Sequence, residues 1–597
     1  MALPQFITDP NPDIYLSDNY CVLDLETTND KYGDARNSNN SIVFGYASSP
    51  KGQHFVFRSL DDLLNVGDDW SEFDFIVCQN AKFELKWLHR AGVDISRILV
   101  YDTMLGDYVI AGNRGWSLDL DSICHRYEVL TKSNYVHQLI QKGVCPSSIS
   151  SRAVKEYCMN DVIITEQVML KQRQKLKEEK LLPAFFIRCL TTPVIAEMEM
   201  HGMYLDKELS LKLSKDFNLE HNNVVAQLDE ITGGINMASP KQVSNFLYTT
   251  LKFPPPKTSY GKPIVGLTGR PKTDEKTLLL LKPTTNKQKE FLELKGHESK
   301  LRKKITGYTN RFVDIVQNKD CIMYGNFNQH VVDTHRLSSS NPNLQNIDRA
   351  LKQVVKARLP ENSIISIDYA GIEFRTGGQL SQDPQVLDDI VTKFDVHSYT
   401  ASVIFNEQWE DAGSTKTNPI GEEIRNKAKA DTFGPMYGKV RGTDKQIEYF
   451  DAFRKKYKVM TDAQESWVQE VLDKGYLTTV TGVKLYYPHT EYTQSGYVTN
   501  STKIKNHPIQ MFATADIAPT GVALLWHSMK VNKLKSFLIA EIHDSAVGEI
   551  YPDEVEIMNK LATQCMAKDI VPFFKKVYGY ELNYPLDVEV KINPNWR

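Results

Sequence analysis

The chain has no run of about 18 consecutive apolar residues, which excludes a helical membrane span. Its opening, Met1-Ala2-Leu3-Pro4-Gln5, has neither a basic n-region nor an apolar h-region, so a secretory leader is not expected. Its eight cysteines form no C-x-x-C pairs. That argues against disulfides and structural zinc and for free thiols in a reducing compartment. There is no low-complexity tail and no internal repeat, so neither a disordered linker nor a solenoid is expected. It also lacks the net basic charge that advertises a nucleic-acid binder: 71 Lys and Arg stand against 74 Asp and Glu, for a net charge of −3. Local basic clusters can still serve that purpose. What remains, at 597 residues with 41% apolar and 24% charged, is an ordinary globular composition long enough for several domains.

Two aspartates stand where short apolar strands end. Asp368 closes Ile364-Ile365-Ser366-Ile367, and Asp544 closes Phe537-Leu538-Ile539-Ala540-Glu541-Ile542-His543. A carboxylate at the tip of a buried strand is costly unless something binds it. Two of them about 4 Å apart would repel by roughly 4 kcal/mol at an effective dielectric near 20. Divalent cations remove that cost and can clamp both oxygens of a phosphoryl transfer. Taken singly, each aspartate reads better as a turn cap; what lies between them reverses that. Between them Arg425, Lys429, Phe433 and Tyr437 recur every four residues. On a helix they would share one face over about 18 Å. Cations followed by aromatics suit a nucleoside triphosphate, although a surface helix with an aromatic end packed in the core gives the same stripe.

The combination resembles family A DNA polymerases, the bacterial DNA polymerase I family. Asp368-Tyr369-x-x-Ile372-Glu373-x-Arg375, the Arg425/Lys429/Phe433/Tyr437-Gly438 series and Ile542-His543-Asp544 resemble its motifs A, B and C. Thr334-His335-Arg336-Leu337-Ser338-Ser339, the hairpin Gly475-Tyr476 to Gly482, and Asn506-His507-Pro508-Ile509-Gln510 with Thr514-Ala515-Asp516-Ile517 resemble further segments, in the family's order. The resemblance implies a right-hand palm, fingers and thumb. It implies that Asp368 and Asp544 hold two Mg²⁺, with Mn²⁺ as a substitute. It places Arg425 and Lys429 on the triphosphate, Phe433 under the sugar, Tyr437 near the templating base and Tyr369 in the nucleotide site. Glu373 would be a steric gate against a ribose 2′-hydroxyl. Arg336, Gln510 and His543 would contact DNA, the first two through minor-groove acceptors of the primer-terminal pair. By the resemblance Lys300, Arg302, Lys303 and Lys304 fall in the thumb, where they would grip duplex phosphates; by composition alone a solvated helix face is an equally good reading.

The N-terminal part carries a second carboxylate set. Cys21-Val22-Leu23-Asp24-Leu25-Glu26 puts Asp24 and Glu26 on one strand face. Gln79 to Leu88 reads as a loop entering a helix that carries Glu84, and Tyr157 precedes Asp161 by about one helical turn. The set resembles the D-x-E, N-x-x-(F/Y)-D and Y-x-x-x-D motifs of DnaQ-like 3′–5′ exonucleases, with an RNase H-like fold. The resemblance implies that Asp24, Glu26, Glu84 and Asp161 hold two metals while Tyr157 orients a water.

The expected organisation is multidomain α/β: an exonuclease over residues 1–185, the thumb and the approach to the palm over 186–335, and palm and fingers over 336–597. Asn236 to Val243 reads as a helix start, with Ser239 as N-cap and Pro240 at the first helical position. No room is expected for a 5′-nuclease domain, which points to a phage replicative enzyme. It would act as a monomer in the host cytoplasm on primer-template DNA and dNTPs, with other replisome proteins as further partners. Four departures from the family stand out: Ser545 for Glu, Glu84 for Asp, Pro435 within the expected nucleotide helix, where a kink is expected, and His335 for Gly. Two competing readings are a single-subunit RNA polymerase, opposed by Glu373 and the exonuclease motifs, and a non-catalytic DNA-binding relative, opposed by the retained carboxylates.

Overall fold

The computed structural model describes residues 2–129, 134–257, 262–266, 268–317, 320–405, 419–494 and 496–597. The chain divides into two compact units. The first comprises Met1–Gly202, Tyr324–Gln345 and Leu359–Pro594, and the second Met203–Met323, Asn346–Arg358 and Asn595–Arg597.

The first unit contains an N-terminal sheet of β1 (Tyr20–Thr27), β2 (Ile42–Ser48), β3 (His54–Phe57), β4 (Phe75–Cys78) and β5 (Val100–Asp102), ordered β3-β2-β1-β4-β5. β1 runs parallel to β4 and β4 to β5, while β2 and β3 are antiparallel additions. The central strands read as nearly continuous apolar runs because both faces are covered. Cys21, Val22, Leu23, Phe75, Ile76 and Val77 are all buried. Helices α1 (Lys82–Ala91), α2 (Thr103–Ala111) and α3 (Ser151–Glu178) pack around the sheet. Helix α4 (Leu182–His201) is buried on almost every side, as expected of a helix with no polar stripe.

The same unit holds a C-terminal sheet. β6 (Ser363–Tyr369) is followed by α5 (Ile372–Ser381), α6 (Pro419–Thr432), the hairpin β7 (Tyr476–Thr478) and β8 (Lys484–Tyr486), and α7 (Ser501–Met511). Then come β9 (Phe537–Ile542), β10 (Ser545–Ile550) and β11 (Val588–Asn593). The antiparallel sheet is ordered β9-β10-β6-β11. The helix Ala518–Val531 packs close to β6: a Cβ at Gly521 would lie 2.1 Å from the Tyr369 hydroxyl, so only glycine allows this approach.

The second unit is mostly helical, built on Lys207–Thr232, Asn286–Lys304 and Asn310–Gln317. Its core includes Val224, Leu228, Phe246, Leu247, Phe291 and Leu301. The expected helix start is present: Pro240–Asn245 is capped by Ser239, whose side chain accepts from the Gln242 amide. The boundary expected at residue 186 lies instead at Met203, because α4 packs against α1 and β9 and so belongs to the first unit. Among the described residues no helix is long and apolar enough to cross a membrane.

Candidate active sites

In the N-terminal sheet, the period-two alternation of β1 puts Asp24 and Glu26 on one side. α3 lays Asp161 across that side. One carboxylate oxygen each from Asp24, Glu26 and Asp161 can be chosen so that all lie within 4.8 Å of one another. Glu84 comes from the first turn of α1 and is buried. Burial, and after it the charge of Asp24, pushes its carboxyl well above the usual range. Its Oε2 is buried without a hydrogen-bond partner. Hard oxygen donors in this arrangement fit divalent cations, which would relieve the cost of that orphaned oxygen. The Tyr157 hydroxyl, one turn before Asp161, stands 3.5 Å from His137 Nδ1. A residue with no role assigned from sequence organises the site: buried Asp102 accepts from the amides of Asn80, Ala81 and Met104 at 3.0, 2.9 and 2.9 Å. This pins the turn at Asn80, whose φ is +63°, and aims α1 with Glu84. The aspartate at the end of β5, directly before a helix, was the available signal.

In the C-terminal sheet, Asp368 pairs in register with Ser545, the residue that follows Asp544 at the turn between β9 and β10. The two aspartates therefore share one end of adjacent strands. The Tyr369 amide donates to the Asp544 carbonyl at 3.3 Å. Burial, and then the charge of Asp368, raises the Asp544 carboxyl to about 6. The Ser366 and Ser545 hydroxyls lie 3.3 Å apart, and Ser366 donates to Asp368 at 3.4 Å. Lys591 Nζ lies 3.9 Å from Asp368. The donor pair again fits a divalent cation, which would offset the charge that raises Asp544.

Beside this pair, Tyr437 donates its hydroxyl to Glu373 in the first turn of α5. Burial first, then Asp544, raises the Glu373 carboxyl, against the charge of Arg336 and a hydrogen bond with Gln510. Gln510 in turn accepts from Thr334 at 3.2 Å. The structure thus gathers Glu373, Tyr437, Arg336, Gln510 and Asp544 in one neighbourhood. His543 is exposed at the turn, with φ +61°. Arg425 is forked onto Asp395 at 2.8 and 3.1 Å, and Lys429 on the same helix is exposed. Burial alone would raise the Asp395 carboxyl, but the Arg425 hydrogen bond holds it down at about 2. Phe433 packs against Phe374 and His397, with ring centroids 5.6 and 5.5 Å away.

Two expectations are corrected. The four-residue stripe does not lie on one kinked helix: α6 ends at Thr432, and turns carry Phe433 and Tyr437. Pro435 has no amide to donate and its ring would clash with the carbonyl one turn earlier. The chain instead closes tighter turns, Gly434 N to Asp431 O at 3.0 Å and Gly438 N to Pro435 O at 2.9 Å. The Tyr369 side chain does not line a nucleotide site; it is buried and donates to the Met566 carbonyl at 2.8 Å. In the second unit Arg302 pairs with Glu298 at 3.2 Å and Lys304 with Asp348 at 3.4 Å, which leaves Lys300 and Lys303 as the exposed cations of that group.

Comparison with known proteins gives two family matches: "DNA polymerase family A" over residues 207–597 and "3'-5' exonuclease" over residues 72–177. The chain is 26% identical to DNA polymerase I of Synechocystis sp. over 554 residues, covering 87% of this chain and 53% of that protein. It is 24% identical to DNA polymerase I of Bacillus subtilis over 615 residues, covering 99% and 65%. For DNA polymerase I of Aquifex aeolicus the figures are 26% over 556 residues, covering 87% and 88%. Against the Synechocystis, Pseudomonas and Borreliella relatives the chain spans little more than half their length. Among solved structures it resembles the POL domain of Pol1 from M. smegmatis in complex with DNA primer-template and dNTP. The TM-score is 0.76 at 20% identity, covering 100% of this chain and 98% of that one. At that identity the likeness bears on fold, and it agrees with the expected α/β architecture.

Proposed function

The chain belongs to DNA polymerase family A, and from that premise we propose that it is a template-directed DNA polymerase with a 3′–5′ proofreading exonuclease. The observation that carries this reading is the pairing of two distinct carboxylate clusters: Asp368 with Asp544 at one strand end, and Asp24, Glu26 and Asp161 with buried Glu84 in the other sheet. Divalent cations, Mg²⁺ by preference, would be held by these residues; when bound they supply charge neutralisation and Lewis acidity for phosphoryl transfer.

The chain's own groups do the rest. The Glu373–Tyr437 pair forms a wall beside Asp544, where a ribose 2′-hydroxyl would be crowded. Arg336 and Gln510 present donors suited to the purine N3 and pyrimidine O2 acceptors that all correct pairs share. Asp395 keeps the Arg425 guanidinium in place before a triphosphate arrives. On the N-terminal side, Tyr157 is placed to orient a water toward a terminal phosphodiester. Replication of a phage genome, by a monomer working in the host cytoplasm with other replisome proteins, is the finer part of the proposal and rests on the sequence resemblance. The decisive experiment is extension of matched and mismatched primers with Mg²⁺ and dNTPs. Extension of the first, and trimming before extension of the second, is expected. Incorporation of rNTPs in preference to dNTPs would overturn the reading.

A further inference from the structure

The turn that follows α2 belongs by sequence to the N-terminal half, yet its contacts go to the C-terminal half. Gly112 has φ +63°, and a Cβ there would lie 2.0 Å from the Lys484 carbonyl oxygen of β8. Asn113 uses its carboxamide as a strand edge: Nδ2 donates to the Tyr486 carbonyl at 3.0 Å, and Oδ1 accepts from the Tyr486 amide at 2.6 Å. Among the described residues β8 pairs with β7 alone, so this carboxamide satisfies backbone groups that the hairpin would otherwise leave open. The Arg114 guanidinium lies 4.1 Å from the Trp116 ring centroid and 4.3 Å from that of Tyr486.

The other flank of the same turn meets the segment before Arg336. Tyr108 donates to the Val332 carbonyl at 2.6 Å. The His335 ring stacks on the Tyr108 ring, with centroids 4.0 Å apart and planes 25° from parallel. Its Nε2 donates to the Gly112 carbonyl at 3.1 Å. Burial drives the imidazole pKa down to about 3, so the ring is neutral and this donor is retained across the working pH range. His335 does this from φ +56°, a conformation that disfavours a side chain. A residue held in that region persists only where its surroundings over-determine it, and here the contacts that do so lie in the N-terminal half.

We infer that the turn after α2 and His335 form a coupling that makes the N-terminal half a positioning component of polymerisation. His335 is the positioning residue for Arg336, and Asn113 for the β7–β8 hairpin. One turn thereby fixes two polymerase elements, so the grip on a paired primer terminus depends on how the exonuclease half is seated. Loosening the coupling would release primer ends toward trimming. The inference rests on the polymerase reading proposed above.

The test uses the full chain with His335→Gly, Asn113→Ala and the two combined. His335→Gly suits the left-handed backbone, so it removes the ring contacts with little risk to folding. The expected result is a KM for primer-template raised about 5-fold in each single variant, with kcat for dNTP addition within about twofold of wild type. Trimming of single-stranded primer is unchanged, and the ratio of trimming to extension on a matched duplex rises. His335→Gln, whose carboxamide nitrogen reaches as far as the ring Nε2 and can still donate to Gly112, recovers part of the KM loss. An unchanged KM in the combined variant would overturn the inference. So would a parallel loss of kcat and single-strand trimming, which marks general unfolding. A wild-type protein that extends no primer would instead overturn the polymerase reading itself.

Discussion

Asp368 sits directly across the strand register from Ser545. A hydroxyl therefore stands where the family resemblance expects a carboxylate. With Ser366 it forms a short hydroxyl chain ending on Asp368, so the serine orients the aspartate and adds no charge. This leaves Asp368 and Asp544 as the acidic pair on which the first predictions turn.

Asp544→Asn should lower nucleotide addition by on the order of 10³-fold while sparing single-strand trimming, since it removes the charge that would hold a cation at the strand ends. Steady-state extension and trimming assays on one preparation check this. Near-normal extension would remove Asp544 from the site.

The same substitution has a signature in stability. The Asp544 carboxyl is raised from 3.8 to about 6 in the folded protein. A carboxyl raised in this way favours the fold at low pH, and that contribution is lost as pH rises through about 6. Without divalent metal, Asp544→Asn should therefore melt higher than wild type at pH 7.5, by roughly 2–4 °C, and alike at pH 4. Added Mg²⁺ should raise the wild-type melting temperature more than that of the variant. Scanning calorimetry at both pH values, with and without Mg²⁺, decides it.

Glu373→Ala removes the acceptor of Tyr437 and opens the wall beside Asp544. Discrimination against ribonucleotides should fall by about 10- to 100-fold. Phe433→Tyr should ease dideoxynucleotide incorporation, because the added hydroxyl can stand in for the missing 3′-hydroxyl. Competition between sugar types on a defined template measures both, and unchanged selectivity in both variants would mean the sugar pocket lies elsewhere.

Asp24→Ala with Glu26→Ala should cut trimming by on the order of 10³-fold and leave extension near normal, with more misincorporations surviving. Glu84→Asp should keep or improve trimming if the longer carboxylate is a compromise ligand. Trimming unaltered in Glu84→Ala would show that Glu84 does not serve the site, despite its buried oxygen.

Much of this was legible in the sequence because its signals are local. The alternation of β1 put Asp24 and Glu26 together, and the apolar runs before Asp368 and Asp544 placed both at strand ends. Less legible was what depends on distant partners. Nothing near Asp395 in sequence announces its fork with Arg425, 30 residues away. The end of α6 was written in Pro435, but the four-residue spacing beyond it is equally compatible with turns that bring Phe433 and Tyr437 to the same place. The ring of Tyr369 looked available beside Asp368, yet strand alternation sends neighbours to opposite faces, and the gap above Gly521 accepts it in the core. His335 carried no readable message, since its contacts lie more than 200 residues upstream.

Helix α4 has a consequence for how this protein can be recombined. Because it packs against α1 on one side and β9 on another, it is common property of the two sheets. A chimera joined at residue 186 would cut this apolar rod just after its first turn and draw its two pieces from different parents, misfitting buried side chains such as Phe185 and Phe186. A junction at 202/203 keeps the rod whole and with α1, while β9, at Phe537–Ile542, comes from the other parent. Shuffled relatives that swap their N-terminal halves should therefore stay soluble only when the β9 face of the second parent complements the helix it receives.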